Sequence, residues 1–366
     1  MVLIIRGILI IYIVFICVAL LAIIAKKSNR TVYVCGIILI LSLFVGLRDI
    51  SIGDDTETYY QMFLYLRYGI FSPNYEYGFS LISYFILKLF NDIHAPFIVF
   101  SFITNTLIIC RLWEIRNRYS FVSSIVLYMI LYYPSCCNIM RQYLAIAIIF
   151  WGLRFLEKDK LKIYLLIVLL SISIHTSAAV AIFYIFIYEI NTKRENKRKT
   201  KMYIVLGLVC VPILAIAAYY VFGHYAYYFL NNNNSVGLFN FIRIMYVLIG
   251  MVLSYSVFSQ VDTLQIKFRN RIQKNQVSLN KIILISYSVG VLLYFLGYYK
   301  TTIMRIGIYF GINEILFIPL IVKNGRGKQV MSLLYWVLII LYFIINVKSG
   351  WSELGDYVSF LSSKGL

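Results

Sequence analysis

Acidic residues are scarce in this chain. Its 366 residues hold 15 Asp and Glu against 34 Lys and Arg, and charged residues of both signs make up 13%. With 61% of residues hydrophobic, so little charge cannot solvate the surface of a soluble domain, and the composition reads as a polytopic membrane protein. Histidine is scarcer still. His94, His175 and His224 stand far apart, and none has a second ligand one helical turn away, so no metal site and no cofactor are expected. The six cysteines show no CxxC spacing and lie mostly inside apolar runs, as packing residues do; Cys136 and Cys137 are expected at an outer turn where they could oxidise, although adjacent cysteines form a strained ring that is rarely structural. No internal repeat is visible. A net charge of +19 would suit nucleic acid, but the basic residues concentrate between apolar runs, where they orient the chain and meet anionic lipid. No nucleic-acid partner is expected; the lipid bilayer is. The first apolar run, 2–25, is too long for a signal-peptide core and lacks a small-residue cleavage site, so it is expected to stay as a helix.

Most of the Lys and Arg residues fall in six breaks, at 26–30, 111–118, 154–162, 193–201, 267–281 and 323–328. By the positive-inside rule these breaks face the cytoplasm. The sequence is thus read as all-α, a single polytopic membrane domain over 1–366 with about twelve membrane segments. They are 2–25, 31–47, 96–112, 119–133, 137–156, 163–174, 176–190, 202–222, 237–258, 282–298, 303–322 and 330–347. Segments 163–174 and 176–190 reach only roughly 18 and 22 Å against a bilayer core of about 30 Å. A short hairpin with His175 at its tip fits them better than one tilted helix, which would put the charges of 193–201 outside. The excursion 48–95 forms a long outer loop, and its apolar stretch 79–90 is expected to be an interfacial or re-entrant helix.

Four lone arginines, Arg48, Arg141, Arg243 and Arg305, stand near helix ends on the outer side, where orientation does not call for them. Arg141, Arg243 and Arg305 fall near the start of helices running inward, so backbone N–H groups and the helix dipole add to each guanidinium. A diphosphate suits such places, because a guanidinium grips phosphate oxygens by paired hydrogen bonds. Snorkelling or pairing with a structural carboxylate is the competing account. The loop adds Asp54, Asp55, Glu57 and Glu76, carboxylates able to serve as base, as sugar-hydroxyl acceptors or as arginine partners. His175 interrupts an apolar stretch; near neutral pH an imidazole is a better base than an ordinary carboxylate. His175, Asp55 and Glu76 therefore compete for the role of proton acceptor. Glu314, inside 303–322, is placed on the helix face opposite Arg305. Tyr residues number 33; rings stack on sugars, but the aromatic belt at the membrane interface accounts for most of them.

Taken in order, these motifs resemble the EpsG-type branch of the Wzy polysaccharide polymerases. Gly46-Leu47-Arg48, then Gly53-Asp54-Asp55-Thr56 and Tyr59, are similar to that family's G-L-R and G-T-D-T…Y elements. Glu76 with Gly78 resembles its E-x-G, Arg141-Gln142 with Ala145 its R-Q-x-x-A, His175 with Ser177 and Ala178 its H-x-S-A, and Arg305 with Tyr309-Phe310 its late R…Y-F. Asp54 stands where the family has Thr, so two aspartates compete for one role, and Arg243 matches no motif. The resemblance implies metal-independent glycosyl transfer at the outer face of a bacterial inner membrane. A glycan on undecaprenyl diphosphate passes to a second lipid-linked repeat, building O-antigen, capsule or exopolysaccharide. Asp54, Tyr59 and Gln142 become candidate substrate contacts, and a chain-length regulator protein a candidate partner. A lipid-linked oligosaccharide flippase, or another membrane glycosyltransferase such as an O-antigen ligase, would share the diphosphate chemistry. A transporter should carry charge at mid-depth and broken helices.

Overall fold

The computed structural model describes residues 2–192, 279–297, 301–324, 329–348 and 357–363. Expected segments 202–222 and 237–258, most of the loop 259–281, and Arg243 lie outside them. The described residues form α1 (Val2–Ser28), α2 (Thr31–Gly46), α3 (Thr56–Arg67), α4 (Tyr77–Phe90), α5 (Ala95–Glu114), α6 (Phe121–Leu131), α7 (Met140–Glu157), α8 (Leu161–Ile174) and α9 (Phe183–Thr192). There follow α10 (Leu279–Leu296), α11 (Thr301–Gly311), α12 (Glu314–Asn324), α13 (Gln329–Lys348) and α14 (Phe360–Ser363). Short 3-10 turns occupy Pro134–Cys136 and Thr176–Ile182. Among the described residues there is no strand, only an isolated bridge between Arg48 and Ser359.

Most expected segments in the described residues coincide with a helix. Among the described residues two helices, Leu9–Ser28 and Ala95–Glu114, are long and apolar enough to cross a membrane, or three if a bent pair is one span. Helix length among the described residues does not confirm the expected twelve, since a 16-residue helix such as α2 rises only about 24 Å.

Three expectations change. Segment 303–322 is not one helix: α11 and α12 meet at a 47° bend, so Glu314 begins α12 instead of lying inside a continuous helix. The loop 48–95 holds a second helix, α3, whose Tyr59, Met62, Phe63 and Leu66 are buried at i, i+3, i+4, i+7 spacing. Cys136 and Cys137, expected at an outer turn open to oxidation, are buried free thiols.

Two compact units divide the chain, Met1–Trp151 with Leu169–Thr176 and Phe343–Leu366, and Gly152–Val168 with Ser177–Tyr342. In the first, α2 packs on α1 and α5, and α4 on α3 and α5. Gly46 permits the α2 and α5 contact, since a Cβ there would lie 2.7 Å from Ile98 Cα. In the second, α10 packs on α9, α11 and α12, with the Tyr287 and Phe317 rings stacked at 4.2 Å. The chain reverses between Tyr164 and Ala181, because Tyr164 Oη donates to the Ala181 carbonyl at 2.9 Å. One continuous helix would hold those residues about 25 Å apart.

Gly78, in the first turn of α4, touches the end of α8. A Cβ there would lie 2.6 Å from both the carbonyl oxygen and Oγ of Ser173. Because one of those atoms is backbone, Gly78→Ala is expected to force the two segments apart and cost about 1–3 kcal/mol. Thermal unfolding in detergent should show a lowered midpoint.

Candidate functional site

Glu76 is the hub of the first unit. It precedes α4 in an extended conformation without capping that helix, which turns its carboxylate toward α7 and the α8 turn. Arg141 Nη1 donates to Oε2 at 2.5 Å. On Oε1 converge His175 Nδ1 at 2.9 Å, the Thr176 backbone N–H at 2.9 Å and Thr176 Oγ1 at 3.2 Å. The three side chains Glu76, Arg141 and His175 are 11%, 19% and 13% exposed, closed enough to strengthen these bonds and open enough to admit a ligand. His175 sits where it does because α8 ends on it, its N–H still bonded to the Ser171 carbonyl at 2.9 Å.

This geometry selects a tautomer. An ionised carboxylate only accepts hydrogen bonds, so Nδ1 carries a proton, and whenever Nε2 carries none it presents an acceptor. Burial raises the pKa of Glu76, but the bond and charge of His175, the charge of Arg141 and the Thr176 N–H outweigh it and hold Glu76 at about 2. A folded pKa below the unfolded one stabilises the fold above pH about 4.5, and that gain fades as pH falls from there toward 2. The unfolding midpoint of wild type minus that of Glu76→Gln, measured in detergent, should shrink over that window. An unchanged difference would remove the ion pair from the account.

Aromatic rings enclose Arg141, with its guanidinium carbon 4.7 Å from the Tyr75 ring centre, 5.7 Å from Tyr59 and 5.9 Å from Phe79. Its Nε is buried without a hydrogen-bond partner. Tyr59 is buried, and burial pushes its phenol up while Arg141 opposes the shift. The structure thus brings together Glu76, Arg141, His175 and Tyr59, residues spread over a hundred positions. Sequence reasoning missed Thr176, although its place beside His175 at a turn made it the nearest N–H for a carboxylate.

Arg48 is placed otherwise. It is 1% exposed, and it donates to the Val45 carbonyl at 2.7 Å, the Cys137 carbonyl at 2.9 Å and Thr56 Oγ1 at 3.1 Å. Its guanidinium also lies 4.9 Å from the centre of the Phe97 ring. Asp54 is exposed and Asp55 half-buried at the start of α3, while Gln142 is buried. Gly53 has φ +91 and lies against Asn138, which glycine alone adopts without strain. Arg305 belongs to the second unit, exposed on α11 one turn before Tyr309, whose hydroxyl meets that of Ser177 at 3.1 Å. Among the described residues no group of three His, Cys, Asp or Glu forms a metal site.

A helical membrane chain with an arginine-anchored carboxylate and histidine is the class these observations define. The chain belongs to the EpsG family of Wzy-like polysaccharide polymerases, whose family model matches residues 31–359. No curated protein and no solved structure matches it. Membership points to an integral membrane protein of the polysaccharide polymerase, glycosyltransferase-like type.

Proposed function

We propose that the chain polymerises lipid-linked glycan repeat units, moving a glycan from undecaprenyl diphosphate onto the terminal sugar of a second lipid-linked repeat. The observation that carries this is the Glu76 hub, with His175 bonded through Nδ1. In the reaction an acceptor hydroxyl oxygen bonds to the anomeric carbon of the donor glycan. Its proton passes to His175 Nε2, and the bond from that carbon to the diphosphate oxygen breaks, the electron pair leaving with the lipid diphosphate. Glu76, already ionised and bonded on both oxygens, is a weak base and serves to orient and charge-balance His175. Asp55 remains a competing acceptor for the proton, and Asp54 and Gln142 remain candidate sugar contacts.

Arg141 has N–H groups beyond the one given to Glu76, and we assign it to the diphosphate, where negative charge develops. Arg305 is a second diphosphate candidate with its own test, Arg305→Lys against Arg305→Ala. Arg243 stands on the sequence argument alone. Arg48, which spends its guanidinium on three protein acceptors, acts in this reading as a strut beneath Gly53 and α3. The sign pattern of the loops puts 48–95 on the periplasmic or outer side of the inner membrane, with about twelve membrane segments and His175 at a re-entrant tip. A chain-length regulator acting on the same product is the candidate protein partner.

The bend between α11 and α12, with buried Glu314 beside it, favours a second reading, a lipid-linked glycan flippase. Deleting the gene separates the two. Surface glycan capped by one repeat unit supports polymerisation, whereas complete loss of the glycan supports export.

A further inference from the structure

We infer that α4 lies in the plane of the membrane surface as an anchor, and that its partner is the phospholipid headgroup layer. One side of α4 is buried through Phe79, Ser83, Ile86 and Leu87 on α3 and α5. The other carries Tyr77, Leu81, Phe85 and Leu89 at i, i+4 spacing, with Tyr77, Phe85 and Leu89 70%, 62% and 77% exposed. An apolar stripe so open needs lipid against it, because water would make it a large exposed patch. With 14 residues the helix rises about 21 Å, too little to cross a core of about 30 Å. Charge marks the end of the pair that lies at the headgroup layer. Exposed Lys88 and Arg67 stand at the same end of the α3 and α4 pair, where Arg67 Nη2 bonds Asn91 Oδ1 at 2.8 Å, and both match lipid phosphates.

The anchor sets a height. Glu76 is the residue before α4, and Gly78 presses on Ser173, two residues from His175. Whatever fixes the depth of α4 fixes the depth of the Glu76, Arg141 and His175 group. A lipid-linked diphosphate reports at the headgroup level, and α4 holds the group there. This second step rests on the polymerase reading above; the anchor itself does not.

The test uses the full chain in liposomes, with Cys17, Cys35, Cys110 and Cys210 replaced by Ser and the buried Cys136 and Cys137 kept. Nitroxide labels are placed singly at Tyr77→Cys, Leu81→Cys, Phe85→Cys and Leu89→Cys, and their depth is read from collisions with oxygen against a water-soluble nickel chelate. Four shallow depths within a few ångströms of one another are expected. A steady gradient approaching the roughly 18 Å rise between positions 77 and 89 would make α4 part of a spanning helix and overturn the anchor. Labels open to the nickel chelate throughout would do the same, as would labels immobilised by added soluble repeat-unit glycan, which would mark a sugar platform instead. In a second arm, the Phe85→Glu, Leu89→Glu double variant, produced at normal level, is expected to polymerise lipid-embedded donor at least tenfold more slowly while binding a short-chain donor in detergent as wild type does. Wild-type polymerisation would overturn the height role. If wild type polymerises nothing, the depth profile still decides the anchor and the polymerase reading is what fails.

Discussion

His175→Gln is expected to lower polymer formation by about 10²–10⁴-fold while leaving donor binding intact. Gln can still donate to Glu76 Oε1, the oxygen that receives Nδ1 at 2.9 Å, so the local structure is retained. What it lacks is a basic ring nitrogen. Glu76→Gln should fall into the same range by a different route, because an amide can accept from Nδ1 but cannot balance the charge His175 gains with the proton. Turnover and donor binding are measured separately in purified protein with lipid-linked repeat units. If His175→Gln turns over normally and Asp55→Asn binds donor without turnover, the base is Asp55 and the histidine is a packing residue.

The second large effect is on stability. Removing one partner of a largely buried pair leaves the other charged and poorly solvated, so Arg141→Met and Glu76→Gln should each destabilise the protein by about 3–5 kcal/mol. Of the two, Glu76→Gln should be the more damaging, since Arg141 would then sit among Tyr59, Tyr75 and Phe79 without a carboxylate. The double variant removes both charges and should recover much of the loss while remaining inactive. Unfolding midpoints of the four proteins close a double-mutant cycle. Additive losses, with no recovery in the double variant, would show that the contact is not coupled.

Where helices form was legible from apolar runs and basic breaks, because lipid demands long uncharged stretches. Helix breaks were not. Nothing in the apolar composition of 303–322 marks the bend that leaves Ile312 and Asn313 between α11 and α12, and the acidic residues of the loop hid the apolar spacing of α3. The reversal at His175 was legible, since two runs too short to span meet at a polar residue. For the candidate site, the residue types were visible and their partners were not. Glu76 and His175 are 99 positions apart, and no local pattern says that a carboxylate bonds an imidazole across that separation. Arg48 shows the converse case. A lone arginine beside a glycine turn reads as an anion contact, and only the structure shows that three of its N–H groups go to the Val45 and Cys137 carbonyls and Thr56 Oγ1.

The bridge at Arg48 also bears on where this protein can be cut. Asp49 N–H bonds the Val358 carbonyl at 2.9 Å, Phe360 N–H bonds the Leu47 carbonyl at 3.0 Å, and the Phe360 ring stacks on His94 at 4.0 Å. A short stretch after the last long helix is thereby stitched to the loop that follows the second. A boundary drawn at the end of α13, natural by hydropathy, would strip two backbone partners and a ring from the loop that carries Arg48. Residues 357–360 thus pack on the loop after α2, and the family match, which runs to 359, takes in the serine of that bridge.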